Sequence, residues 1–429
     1  MSRAGLDAGA DRPGSAQEAE RWLLSLELFG MRFGLDRMRR LMTALDAPHE
    51  RFSSIHVVGT NGKSSTVRMI AALLHHHGVR SGAYLSPHLV SFAERILVGG
   101  ADISPDEFAA AVGRARRATQ LVDRTLDADD GVAQVEALTA AAYAQLADAG
   151  GEVAVVEAGL GGRWDATNVI DAQIVVLTNV GLEHTRWLGP TVADIAREKL
   201  AVVAGGATLV LGPDVHPDAD AEACLVAERQ AATIVRAPAA PPPGFELVAR
   251  GAFQRRNFAV ACAAAEAYLG RLDDGAMRTA AASTVVPGRF EVLTDDAGVE
   301  VVLDGAHNAG GIAALAASLA DFLSGRPLVA VVSVLDDKDA AAMLATLLPL
   351  CAGVVFTAND NPRALSPATL EVLAEKLGGP RAEIVADPRS AVARARELAG
   401  AEGAVVATGS IYLIADLGRE EGRPAASSV

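Results

Sequence analysis

Ile55-His56-Val57-Val58-Gly59-Thr60-Asn61-Gly62-Lys63-Ser64-Ser65 opens on an apolar run, turns through two glycines and leads into residues with helical spacing. A strand, a glycine-rich turn and a helix in that order place backbone N–H groups and a helix N-terminus around a small volume suited to an anion. Lys63 extends the positive field toward the terminal phosphates of a nucleotide, and a hydroxyl of Ser64 or Ser65 is within reach of its metal. The strict phosphate-loop pattern asks for a glycine five residues before Gly62. That position is Val57, so only the shorter form G-T-N-G-K-S is present. Phosphate binding is the expectation; the bland alternative is an ordinary glycine turn.

Outward from this stretch the same alternation recurs. Strand-like runs are read at 153–156, 174–177 and 208–211, each followed by loop and helix signals, with helix at 65–77. The pattern predicts an α/β fold with a mainly parallel sheet covered by helices. Upstream, residues 16–46 read as helical, with Trp22, Leu26 and Phe29, then Leu35, Met38, Leu41 and Leu45, spaced three and four apart. The first dozen or so residues, polar and acidic without an apolar signal core, read as a disordered tail. Downstream, A-P-A-A-P-P-P-G at 237–244 reads as a stiff surface connection and helix resumes at 256–269. V-P-G-R at 286–289 breaks the pattern. Strand runs at 299–303, 328–334, 354–357, 383–385 and 404–407 then form a second α/β unit, Rossmann-like and smaller. The expected organisation is a P-loop ATPase-like domain over 1–286, a hinge near residue 287, and a second domain over 287–429.

Composition limits the function. The 429 residues carry a net charge of −15, which argues against a general nucleic-acid surface, since that needs clustered Lys and Arg. No stretch reads as a membrane span. Cys224, Cys262 and Cys351 are odd in number and far apart, so neither a disulfide framework nor a zinc cluster is indicated, and a cytoplasmic location is expected. His75, His76 and His77 are helix neighbours that share no face and are read as surface residues.

Other polar residues fall at strand ends, where α/β sheets bind ligands. Glu157 ends the run 153–157, before Gly159, Gly161 and Gly162, and offers a hard oxygen to magnesium; a capping carboxylate is the alternative. His184 follows another strand end, either as a ligand or as a packing histidine. In the second unit Asp304-Gly305-Ala306-His307-Asn308, Asp336-Asp337-Lys338-Asp339 and Gly409-Ser410 each follow a strand.

Taken together, HVVGTNGKSS (56–65), YLSPHLVSFAERI (84–96), VVEAGLGGRWDATN (155–168), LEHTRWLG (182–189), REKLAV (197–202), FQRRNFAVA (253–261), PGRFE (287–291), LDGAHNAGG (303–311), LDDKD (335–339), NPRAL (361–365) and TGSIYL (408–413) resemble the folylpolyglutamate synthase and dihydrofolate synthase family of the Mur ligase superfamily. The likeness spans nearly the whole chain. It implies ATP-dependent ligation of L-glutamate to a pterin-type acid through an acyl phosphate, with ATP and two Mg2+ ions, no nucleic-acid or membrane partner, and a monomeric protein. It also implies roles residue by residue. Gly59, Thr60, Asn61, Gly62, Lys63, Ser64 and Ser65 would hold the nucleotide, with Lys63 on its β- and γ-phosphates. Ser86, Glu157 and His184 would place one magnesium, and a carbamylated Lys199 a second. Asn257, Arg289, Asp304 and His307 would line the ATP and glutamate region, with Lys63, His184, Lys199 and His307 as the catalytic set. Lys338 and Ser410 would face the amino acid, and the loop 86–95, with Ser86, Pro87, His88 and Arg95, would border the pterin-bearing acid.

Departures from the family pattern are Ser64 for glycine, Glu183 for aspartate, Leu200-Ala201-Val202 for Ala-Gly-Ile, Ala309 for proline and Val135 for an aromatic residue. They leave open a related ligase acting on another acid. A nucleotide-binding module without ligase activity is the reading from a different class.

Overall fold

The structure, a computed structural model, describes residues 14–27, 34–127, 129–294 and 298–419. By compactness the chain divides into one unit comprising residues 1–239 and 258–280 and another comprising 240–257 and 281–429. The first division falls inside the Pro-rich stretch 237–244. The helix Ala252–Leu269 contributes residues to both units.

The first unit is built on eight strands: β1 (Ser53–Val58), β2 (Ser81–Tyr84), β3 (Ile96–Val98), β4 (Ala101–Asp102), β5 (Val153–Glu157), β6 (Ile174–Leu177), β7 (Thr208–Leu211) and β8 (Thr233–Arg236), ordered β4-β3-β2-β5-β1-β6-β7-β8. Pairing is parallel from β2 through β8 and antiparallel only at the β2–β3–β4 edge. β1 and β5 are buried along almost their whole length, so apolar residues fill successive positions, Val57-Val58 in β1 and Val153–Val156 in β5, and do not simply alternate. One core gathers Ala154 and Val156 with Tyr84, Phe92, Phe108 and Tyr143. Another gathers Val58, Val175, Leu177, Leu209 and Leu211 with Ile195, Ala223 and Val226. β1 is central, with β5 and β6 on either side, so the carboxyl ends of these three strands and the loops after them lie side by side.

The long N-terminal helix read at 16–46 resolves into Ala16–Ser25 and Asp36–Ala44, and Phe29 lies outside the described residues, as does the leading tail. The helix expected after β5 is absent: residues 158–173 contain no helix and run as a turn-rich loop to β6. Its glycines and the Asp165 side chain explain this. Asp165 accepts hydrogen bonds from Leu160 N at 2.8 Å and Thr167 N at 3.0 Å, a turn-forming use of aspartate that competes with helix. His75 is exposed, but His77 closes the end of its helix, with Nδ1 2.6 Å from Leu73 O and Nε2 accepting from Asp273 N at 2.8 Å.

The second unit carries β9 (Glu291–Thr294), β10 (Glu300–Leu303), β11 (Leu328–Val332), β12 (Gly353–Phe356), β13 (Ala382–Ile384) and β14 (Ala404–Thr408), ordered β13-β12-β11-β14-β10-β9. All pairings are parallel except β9 with β10. Its core packs Val302, Ala330, Val332, Val354, Phe356 and Val406 against Leu315, Leu319, Leu344 and Leu370 of the covering helices. The break at 286–289 sits between the helix Asp274–Ser283 and β9. Among the described residues no helix is long and apolar enough to cross a membrane, and all three cysteines are unpaired.

Candidate active site

The phosphate loop of the first unit is held from below by the segment after β6. Thr60 N donates to Asn179 O at 3.0 Å, Asn61 N to Asn179 Oδ1 at 3.0 Å, and Gly181 N to Thr60 Oγ1 at 3.0 Å. Asn61 O accepts from Thr178 Oγ1 at 2.7 Å and Asn179 Nδ2 at 3.0 Å. Gly59 has φ +152°, and a Cβ there would collide with the Thr178 hydroxyl and approach Asn179 O to 3.2 Å, so only glycine lets the loop lie this close to its support. Gly62, at φ +82°, caps the helix Lys63–His76. Two lysines converge on one carbonyl: Lys63 Nζ donates to Gly59 O at 3.2 Å and Thr60 O at 3.1 Å, and Lys199 Nζ donates to Gly59 O at 2.7 Å. Lys199, on the helix Val192–Lys199, is only 6% exposed. Burial foremost, and then the Lys63 charge, push its pKa down to about 7, against the pull of Glu183 and Asp165.

Glu157, 1% exposed at the end of β5, is clamped through both oxygens. Ser64 Oγ donates to Oε1 at 2.9 Å and Ser86 N to Oε2 at 3.1 Å. Ser65 is buried inside the first helical turn. His184 has φ +52° and opens the short helix Thr185–Leu188, with Nε2 3.9 Å from Glu183 Oε1. Lys63 and Lys199 therefore share one contact and Glu157 with Ser64 and Ser86 forms another. His184 lies against its sequence neighbour Glu183, whose negative charge raises the Lys199 pKa.

Among the described residues no three His, Cys, Asp or Glu side chains gather as a metal cluster. The donors at Glu157 are one carboxylate and neighbouring hydroxyls, hard oxygens of the kind magnesium takes when phosphate and water complete its shell. The donor set thus fits a nucleotide-bound magnesium.

The loop 86–95 is internally braced. Glu94 accepts Leu89 N at 2.9 Å on Oε2, and Val90 N at 2.9 Å and Ser91 N at 2.7 Å on Oε1. Pro87 follows Ser86 through a cis peptide. His88 and Arg95 are both buried: Arg95 Nε donates to His88 Nδ1 at 2.8 Å, His88 packs on the Phe92 ring at 4.2 Å between centroids, and the Arg95 guanidinium lies 5.4 Å above the same ring. The hydrogen bond assigns the proton of neutral His88 to Nε2.

In the second unit Asp304 directly follows β10 and is 2% exposed, with Oδ1 accepting Ala306 N and Oδ2 accepting Phe290 N, each at 2.8 Å. Burial raises its pKa, and the Arg289 charge opposes that. Arg289 reaches across Gly305, and His307 Nδ1 lies 2.8 Å from Gly305 O, so Arg289, Asp304 and His307 are neighbours. Asn257 Nδ2 donates to Gln254 Oε1 at 3.0 Å. Lys338 Nζ lies 3.5 Å from Asp337 Oδ2, and Ser410, 1% exposed, caps the helix Ile411–Gly418 by accepting Tyr412 N at 3.2 Å.

Sequence reading did not single out His56, Thr167, Asp165, Asn179 or Gln254. Asp165 and Thr167 stood inside a recognised motif, and their position in the loop that follows a strand-end carboxylate was the available signal. His56 looked like one polar residue in an apolar run.

Residues 288–411 match the family described as Mur ligase, glutamate ligase domain. The dihydrofolate synthase/folylpolyglutamate synthase of Mycobacterium tuberculosis is 36% identical over 402 residues, covering 83% of this chain and 81% of that protein. The structure of Mycobacterium tuberculosis folylpolyglutamate synthase complexed with ADP superposes with a TM-score of 0.87 at 33% identity, covering 94% of this chain and 98% of that one. The bifunctional folylpolyglutamate synthase/dihydrofolate synthase of Yersinia pestis, complexed with AMPPNP and Mn ion, superposes at 0.81 with 27% identity, covering 97% and 98%. A phosphate loop in one unit and this ligase domain in the other define a Mur-type ligase. Within that class, the chain belongs to the dihydrofolate synthase/folylpolyglutamate synthase family.

Proposed function

We propose that this protein uses ATP to add L-glutamate to a pterin-type acid, dihydropteroate or a reduced folate, through an acyl phosphate. The observation that carries the reading is the convergence of Lys63 and Lys199 on Gly59 O beside a Glu157 carboxylate held at both oxygens. Lys63 shifts from the loop carbonyls to the β- and γ-phosphates, and N–H groups from Gly62 into the first helical turn take the remaining phosphate oxygens, those of Thr60 and Asn61 staying on Asn179. Glu157, Ser86 and His184 would hold one magnesium and a carbamylated Lys199 a second; when bound, these ions offset charge on the transferring phosphoryl group. A pKa of about 7 leaves much of Lys199 as free amine at neutral pH, the form that adds carbon dioxide.

An oxygen of the acid's carboxylate attacks the γ-phosphorus, the bond to the β–γ bridging oxygen breaks, and ADP leaves. The amino nitrogen of glutamate then attacks the acyl carbon, inorganic phosphate departs with its electron pair, and the nitrogen gives up a proton. Arg289, Asp304, His307, Asn257, Lys338 and Ser410 are assigned to the nucleotide and glutamate region. His88 and the loop 86–95 are assigned to the acid. Positioning supplies most of the catalysis. We infer a monomer in the cytoplasm; the unpaired cysteines support the location.

The test is incubation with ATP, magnesium, glutamate and each candidate acid, followed by product mass and phosphate release. Product one glutamate heavier than a pterin-type acid is expected. Amino-acid-dependent phosphate release with other acids alone would assign the enzyme a different substrate, and ATP binding without any such release would sink the ligase reading.

A further inference from the structure

Beneath the site runs a buried polar chain that the mechanism above does not use. His56, on β1 and 0% exposed, has Nε2 2.9 Å from Thr167 Oγ1. Thr167, 2% exposed, donates that hydroxyl to Asp165 Oδ1 and its backbone N–H to the same oxygen, the latter at 3.0 Å. Asp165 Oδ2 accepts Leu160 N at 2.8 Å. An ionised carboxylate only accepts and a hydroxyl has one proton. Thr167 therefore spends its proton on Asp165 and accepts from His56, which must carry hydrogen on Nε2 and leave Nδ1 bare. Among the described residues the buried Nδ1 has no hydrogen-bond partner.

An apolar residue would suit the interior of β1 better than a histidine with an unsatisfied nitrogen. What the chain gains is a fixed reference for two loops. Gly159 is where they meet: a Cβ there would lie 3.3 Å from Asp165 Oδ2 and 3.8 Å from Ser86 Oγ. Tyr143 donates its hydroxyl to Thr167 O at 3.0 Å and packs edge-on against Tyr84, 6.4 Å between centroids, at the end of the strand that leads to Ser86. Both loop positions are thus referred to one hydrogen-bonded group on the strand that carries the phosphate loop.

We propose that His56 is a positioning residue which, through Thr167, fixes Asp165 beside Ser86 and so sets where the acid substrate is held relative to the phosphate loop. This rests on the function proposed above.

Thr167→Val and His56→Leu remove the relay; Thr167→Ser and His56→Gln keep an oxygen and an N–H donor in place. Initial rates against acid concentration are measured alongside calorimetric ADP affinity. The first pair is expected to raise the KM for the acid about tenfold or more, with ADP affinity within about twofold of the parent, and the second pair to stay within about threefold on both. An unchanged KM in Thr167→Val, or equal losses of acid and ADP binding, overturns the positioning role. An independent readout needs no variant: nitrogen NMR of the histidine-labelled protein is expected to show His56 protonated on Nε2 and bare at Nδ1, and the opposite tautomer overturns the relay. If the parent turns over no pterin-type acid, the function itself fails and this inference falls with it. Parent turnover with insensitive variants sinks the relay alone.

Discussion

Two buried titratable residues, His56 and Lys199, are each pushed toward their neutral form by desolvation, and each links stability to pH. Burial holds His56 down at about 4, against an ordinary 6.5, with the Asp165 charge opposing. Above pH 6.5 folded and unfolded chains are both neutral there. Between 6.5 and about 4 the unfolded chain takes up a proton that the folded one refuses, so stability falls as pH falls, by something on the order of 2–3 kcal/mol. His56→Gln is expected to flatten that part of the curve in urea unfolding from pH 7 to pH 4; an unchanged slope would mean His56 is not held neutral. For Lys199, with its pKa down at about 7 from 10.5, the unfolded chain binds the extra proton between those values. Its burial thus costs stability increasingly as pH drops from 10.5 toward 7. Lys199→Met is expected to be more stable than the parent at pH 7 by roughly 1–3 kcal/mol while losing ligase activity, an exchange seen where function places a charge in the interior. A less stable or fully active variant contradicts that. Lys199 was legible only because its surrounding motif resembles a family. His56 was not legible at all, since its meaning lies in Thr167, 111 residues away.

The element that brings most backbone order to the site is the loop 86–95, and one side chain organises it. Glu94 gathers three successive N–H groups that no helix or strand satisfies, and charged acceptors make the stronger bonds. Glu94→Gln keeps the shape but loses the charge and one acceptor, leaving an N–H underpaired. We expect a stability loss of about 1–2 kcal/mol and a KM for the acid raised about tenfold, with ADP affinity unchanged; equal weakening of acid and ADP would place the damage in the phosphate loop instead. Glu94 also closes a capping box with Ser91 at the start of the short helix Phe92–Arg95. Elements were readable where burial forces an apolar run, as in β1, β5, β6, β7, β11 and β14. They were less readable elsewhere. Ser81-Gly82-Ala83-Tyr84 has no strand pattern, and its Gly82 leaves no room for a side chain against Leu146 and Leu97 O; β9 and β8 are half-exposed edges with little apolar content to mark them. The loop 158–173 read as leading to a helix because loop and helix were expected to alternate with strands. Its polar residues instead satisfy one another and hold Asp165.

At the scale of the whole chain, Pro and Gly marked the boundary near residue 287, whereas compactness separates 1–239 with 258–280 from 240–257 with 281–429. The return of 258–280 to the first unit was hidden because Ala252–Leu269 is one uninterrupted helix, and helical periodicity says nothing about which core a given turn packs on. Function proposed for the first unit gives a stability test that needs no substrate acid. A nucleotide that binds only the folded chain adds RT ln(1 + [L]/Kd), about 2.7 kcal/mol at one hundred times Kd. For a unit of roughly 250 residues this moves the melting temperature by roughly 5–10 °C. ADP with magnesium is therefore expected to raise the melting temperature by that amount, and chelation of the metal to remove much of the gain, because phosphate charge would then face the Glu157 carboxylate without a cation between them. Lys63→Ala leaves the helix intact, since Ala is the better helix former and the Lys63 ammonium donates to the Gly59 and Thr60 carbonyls of the loop. Its unliganded melting temperature should match the parent's within about 2 °C, while the ADP shift and turnover are lost together. A variant that keeps the shift and the turnover would show that the loop is a turn and not the phosphate site.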